Sequence, residues 1–63
     1  MINPHPGKQQ FSVGQRVWTS RHLVAELLRW RVNIERWDAR YVDDGGKLGQ
    51  PVLLDPRRCT PVA

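Results

Sequence analysis

Hydrophobic and polar residues alternate along much of this chain, beginning at Phe11. In Phe11-Ser12-Val13-Gly14-Gln15-Arg16-Val17-Trp18, the residues Phe11, Val13 and Val17 fall on one face rich in strand-favouring side chains. This predicts a first strand, with Gly14 as a tight bend near its start. The period then changes. Leu23, Val24, Leu27 and Leu28 recur at helical spacing behind Thr19 and Ser20, either of whose hydroxyls can cap a first turn. A short helix is therefore expected over about 20–28, with Arg21, Glu26 and His22 on its wet side.

Period two returns in Arg29-Trp30-Arg31-Val32-Asn33-Ile34-Glu35 and again in Arg36-Trp37-Asp38-Ala39-Arg40-Tyr41-Val42. A phase slip between Ile34 and Trp37 marks a bulge or a tight connection. On this reading Trp30, Val32, Ile34, Trp37, Ala39 and Tyr41 face the core, and Arg29, Arg31, Arg36 and Arg40 share the opposite face, interrupted by Glu35 and Asp38. The stretch can also be drawn as a helix capped by Asn33, with Ile34, Trp37 and Tyr41 at three- and four-residue spacing. Its β-branched and aromatic residues favour the strand.

Asp43-Asp44-Gly45-Gly46-Lys47-Leu48-Gly49 has the composition of a turn between strands. Gln50 to Asp55 is the partner strand, where Pro51 suits an edge or a first position. Pro56-Arg57-Arg58 is a further turn, and Cys59 to Val62 a short closing strand. The class expected is mainly β, a small barrel of about five strands with one short helix over 11–63. Residues 1–10 hold too little apolar surface to offset chain ordering and are expected to form a flexible arm.

Composition narrows the partners. The 63 residues carry a net charge of +4, and the cations are nearly all arginine, with only Lys8 and Lys47 beside them. Arginine presents a planar fork of donors that fits phosphate or carboxylate and stacks on rings, so an acidic partner is favoured. Arg29, Arg31, Arg36 and Arg40 are the first candidates for contact, joined by Lys47, Arg57 and Arg58. Nucleic acid, DNA before RNA, is the first expectation, and an acidic host protein bound by a small phage- or plasmid-type modulator is the alternative. The longest aliphatic runs, Leu23-Val24-Ala25 and Val52-Leu53-Leu54, are far shorter than the roughly 20 residues of a membrane-spanning helix. The opening Met1 to Pro6 lacks the basic-then-apolar order of a secretory signal, and the single Cys59 allows no internal disulfide, so a reducing cytoplasmic setting is expected. Edge strands leave a homo-oligomer open.

No constellation points to catalysis. His5, His22 and Cys59 stand too far apart in sequence for zinc-ligand spacing, and Ser12 and Ser20 do not sit in a Gly-x-Ser-x-Gly turn. Gly45, Gly46 and Gly49 lie between two strands rather than between a strand and a helix, where a phosphate loop belongs, and Asp43-Asp44 reads as a turn tip. Cys59 beside Arg57 and Arg58 would have a stabilised thiolate if exposed, and is otherwise a small buried filler. The expectation is a non-enzyme with no cofactor and no metal.

Two family resemblances bear on the fold. Phe11 to Trp18 looks like the first strand of SH3-like small barrels, and Val52-Leu53-Leu54 with Thr60-Pro61-Val62 resembles the end of one. Domains of that kind bind nucleic acid, peptides or proteins, so the resemblance implies a binding module without choosing its partner. The plasmid-type dihydrofolate reductase shares this opening but carries Val-Gln-Ile-Tyr in its active-site strand, where this chain reads Pro51-Val52-Leu53-Leu54-Asp55. The rival resemblance is to excisionases and MerR-type winged-helix proteins, through Val24-Ala25-Glu26-Leu27-Leu28 and Ile34-Glu35-Arg36-Trp37. It implies an α+β fold with Glu35, Arg36 and Arg40 on a recognition helix in the major groove and the hairpin at Gly45 and Gly46 as the wing.

Overall fold

The computed structural model describes residues 11–62, and the arm expected over 1–10 lies outside them. Five strands form one antiparallel sheet: β1 (Arg16–Trp18), β2 (Val24–Arg31), β3 (Arg36–Val42), β4 (Leu48–Leu54) and β5 (Thr60–Pro61). A single 3-10 turn, Pro56–Arg58, joins β4 to β5. The order across the sheet is β4-β3-β2-β1-β5, so the first strand lies between the second and the last. The mainly β class expected from the sequence is the class observed.

Inward-facing residues make one core of Phe11, Val17, Ala25, Leu27, Trp37, Ala39, Leu54 and Cys59, flanked by half-buried Trp30, Tyr41 and Val52. These side chains come from the full width of the sheet, with Leu54 on the edge strand β4 and Cys59 just before β5. A single flat layer exposes one face and cannot bury its own side chains this completely. The sheet is therefore curled around its inner face, as a right-handed strand twist favours. Phe11, ahead of β1, and Pro56, in the 3-10 turn, are buried as well.

The helix expected over 20–28 is absent, and its second half is the first half of β2. Ala25 and Leu27 point inward, paired with Tyr41 and Ala39 on β3, while Val24 and Glu26 point outward. Two features hid this alternation. The inward position 25 holds only a small Ala, and the outward positions 24 and 28 hold apolar residues, so the run mimics an apolar helical stripe. Ladders to β1 on one side and β3 on the other decide the conformation, and Val24 and the bulky residues after it suit a pleated surface. Thr19 does cap a turn, its hydroxyl accepting from the amides of Arg21 at 3.3 Å and Leu23 at 3.4 Å, but the turn belongs to the β1–β2 hairpin. The residues drawn as a recognition helix form a hairpin turn and β3 instead.

The phase change expected between Ile34 and Trp37 coincides with the four-residue connection from β2 to β3, and a separate bulge lies earlier, within β2. The β2–β3 register shifts between Leu27 and Arg29, leaving Leu28 as the extra residue of a bulge. Inward positions before it are Ala25 and Leu27, and after it Trp30, which pairs with Trp37. Val32 and Ile34, expected in the core, sit in the four-residue connection to β3 and are 60% and 42% exposed. Glu35 takes a left-handed φ of 53°, which turns the chain into β3. Val13 is likewise exposed rather than core, because the chain bends at Gly14 (φ 87°) before β1 begins.

Candidate binding face

The ladder register decides which arginines meet. Arg29 stands opposite Asp38, Arg31 opposite Arg36, and Glu26 opposite both Arg40 on β3 and Arg16 on β1. Opposed residues of an antiparallel pair share a face, and positions two apart on one strand do too. Arg29, Arg31, Arg36 and Arg40 therefore all lie on the outward face of the β2–β3 hairpin, away from the core. Arg16, which the sequence reading did not select, belongs to the same face. Its signal was present in the alternation around inward Val17.

Carboxylates moderate this face without neutralising it. The Arg31 guanidinium donates to Asp38 at 3.3 Å, and Arg16 donates to Glu26 at 3.3 Å. Arg36 donates to the Glu35 carbonyl at 3.0 Å and lies 4.0 Å from Asp55. Arg40 donates to the Gly49 carbonyl at 2.9 Å, which pins β4 where its register shifts. Among the described residues, neither Arg29 nor Arg40 has a carboxylate within ion-pair distance. Cations outnumber anions across the face.

Arg57 joins the face through Asp55. The Asp55 carboxylate accepts from the Arg57 amide at 3.0 Å and from its guanidinium at 3.1 Å through both oxygens, a two-pronged fork. Those hydrogen bonds, led by the guanidinium, hold the Asp55 carboxyl down at about 2. The same contact raises the Arg57 pKa. Arg58 is exposed at the end of the 3-10 turn, and among the described residues no ion pair ties it to the face. Lys47 stands at the Arg16 end of the face, in the turn whose Gly46 lies beside the Arg16 guanidinium. It sits in the β3–β4 turn, at the opposite end of β3 from Arg36, roughly 20 Å away at the rise of an extended strand.

Apolar side chains interleave with the cations. Leu28, Pro51 and Leu53 line a shallow concavity of about 360 Å³ with Asp38 and Arg40. The bulge places Leu28 here, and Pro51 and Leu53 face outward because they pair with Arg40 and Asp38. Pro51 lies on the edge strand, as expected from its missing amide proton.

Cys59 is buried, with its thiol donating to the Asp55 carbonyl at 3.4 Å. Burial, with a smaller contribution from the Asp55 charge, pushes its pKa up, so the neighbouring arginines do not produce a reactive thiolate. Among the described residues no group of three His, Cys, Asp or Glu could hold a metal ion. No helix there is long and apolar enough to cross a membrane. No family model, curated protein or solved structure matches the chain.

Proposed function

We propose that this is a small non-catalytic nucleic-acid-binding protein, an SH3-like module whose β2–β3 hairpin lays Arg29, Arg31, Arg36 and Arg40 along phosphates. The observation that supports it is Arg31 opposite Arg36. Like charges directly across a ladder destabilise a sheet, and a position that keeps them suits a surface serving an anionic ligand. Arg16 and Arg57 extend the basic surface on either side. DNA is the first candidate, because a charge-driven face of this kind engages a duplex backbone without needing to read its bases.

Each neutralised phosphate releases counterions, so four contacts give a plot of log affinity against log salt with a slope of roughly −3 to −4 on duplex DNA. Fluorescence anisotropy with labelled duplex DNA, single-stranded DNA and RNA at several salt concentrations tests it. Absent or salt-insensitive binding to all three removes the reading.

A second reading rests on the concavity of Leu28, Pro51 and Leu53 beside the arginines. Apolar surface next to cations also fits an acidic protein, the partner of a phage- or plasmid-type modulator. Capture from nuclease-treated cytoplasmic lysate separates the two, since one retained protein partner favours the modulator.

A further inference from the structure

The far end of the outward face differs in kind. Trp18, Leu23, Val24, Val42 and Val62 line a second concavity of about 370 Å³ between the β1–β2 turn and the β3–β4 turn, with Asp43 and Asp44 among its walls. Trp18 is 45% exposed on β1, opposite Val24 on β2 and Thr60 on β5. A large ring left open on a sheet face, in a chain with few aromatics, is a surface in want of a cover. Its lining carries two carboxylates, Asp43 and Asp44, against one guanidinium, Arg16.

Arg16 and His22 also line the concavity, but the Arg16 guanidinium is engaged by Glu26 at 3.3 Å. Asp43 uses one oxygen to accept from the Gly45 and Lys47 amides, each at 2.9 Å, which fixes the turn and leaves its charge in place. Asp44 has no ion pair or hydrogen bond from its side chain among the described residues. An aromatic floor with aliphatic walls and a carboxylate rim complements one chemical group above others, a cation carried on an apolar stem.

We propose that this concavity receives a lysine or arginine side chain of a protein partner. The stem lies along Val24 and Val42, the cation rests over the Trp18 indole, and Asp44 with Asp43 supplies the counter-charge. A phosphate is disfavoured at this end by the same two carboxylates. The protein then has two unlike surfaces on one sheet face, and the second does not depend on the first being a nucleic-acid site.

The test is an amide and indole NMR titration of the full chain with three blocked tripeptides, Gly-Lys-Gly, Gly-norleucine-Gly and Gly-Glu-Gly. The expected result is saturable shifts for the Lys peptide at the Trp18 indole N–H and at the Val24, Val42 and Asp44 amides. The norleucine and Glu peptides should bind at least about threefold more weakly, the size of an exposed charge contact. Asp44→Asn should cost the Lys peptide a similar roughly threefold loss while leaving the rest of the spectrum unchanged, which shows the fold intact. Equal response to norleucine, stronger response to Glu, or Lys shifts confined to Asp38 and Asp55 would overturn the proposal. So would concentration-dependent shifts at these residues without peptide, with a dimer in sedimentation velocity, because a second copy would then be the occupant. Loss of DNA binding would leave these outcomes unaffected.

Discussion

Arg31 and Arg36 face each other across the β2–β3 ladder, and each reaches sideways to a carboxylate, Arg31 to Asp38 and Arg36 to Asp55. The repulsion across the ladder is thus spread over two ion pairs that solvent partly screens, which keeps a costly pairing within tolerable limits.

Replacing Arg31 by Thr removes the like-charge pair and adds a β-branched residue at an exposed strand position. Stability measured by urea denaturation should be unchanged or raised by up to about 1 kcal/mol. DNA affinity should fall, and the salt slope should shrink by about 1. A loss of both stability and binding would show that the arginine serves the fold instead.

Asp38→Asn acts in the other direction. It frees Arg31 and removes an anion from the face, so DNA binding should tighten, by roughly two- to fivefold at low salt, with the gain fading as salt rises. Anisotropy at two ionic strengths reads it directly.

Trp30 and Trp37 meet edge-to-face, with ring centroids 5.5 Å apart and planes at 61°. Trp37 is fully buried, so Trp37→Ala should cost about 3–5 kcal/mol, as much as a domain of this size is expected to have. Trp37→Phe should be milder, because among the described residues its indole N–H has no acceptor and the substitution removes that donor. A double-mutant cycle with Trp30→Leu and Trp37→Phe should return a coupling of about 0.5–1.5 kcal/mol by chemical denaturation.

Asp55 gives the fold an acid limit. Its carboxyl is held at about 2 in the folded protein, against 3.8 ordinarily, by the Arg57 hydrogen bonds. A depressed folded value means that the stabilisation is complete above about 4 and is lost as pH falls from there towards 2. Thermal unfolding followed from pH 7 to pH 2 should show a fall in this window that Asp55→Ala flattens. The same substitution should cost about 1 kcal/mol at neutral pH through the lost cap on the 3-10 turn.

Glu35 and His22 both hold left-handed φ values, 53° and 61°. Asn tolerates that region better than either, so Glu35→Asn or His22→Asn should raise stability by a few tenths to about 1 kcal/mol in thermal unfolding.

How far the sequence carried depended on residue size as much as on pattern. Strands β3 and β4, the turn at Gly45 and Gly46 and the closing strand were readable because large inward residues such as Trp37 and Leu54 alternate with polar or turn-forming ones. Strand β2 was hidden because Ala25 fills an inward position too small to mark it, and because the bulge at Leu28 breaks the period in mid-strand. The candidate face fared better. The change of phase expected between Ile34 and Trp37 belongs to the four-residue connection that sets Arg31 opposite Arg36, and that pairing puts Arg29, Arg31, Arg36 and Arg40 on one side. Lys47, singled out by its charge, lies at the far end of β3 from Arg36, in the turn beside Arg16. Arg16 was not selected on charge clustering, although the expected first strand already placed it outward beside inward Val17.

The extra residue at Leu28 gives the hairpin a reading frame of its own. Substitutions on β2 and β3 can exchange one arginine for another side chain and leave the two faces where they are. The faces would survive loss of the codon for Leu28, which joins Leu27 to Arg29 in a regular ladder; drawing Leu28 into the ladder opposite Asp38 would instead turn Trp30 out to solvent and Arg29 and Arg31 in towards the core. Evolution can therefore retune this surface position by position, while the bulge keeps tryptophan inside and arginine outside in a strand that carries one residue more than its partner.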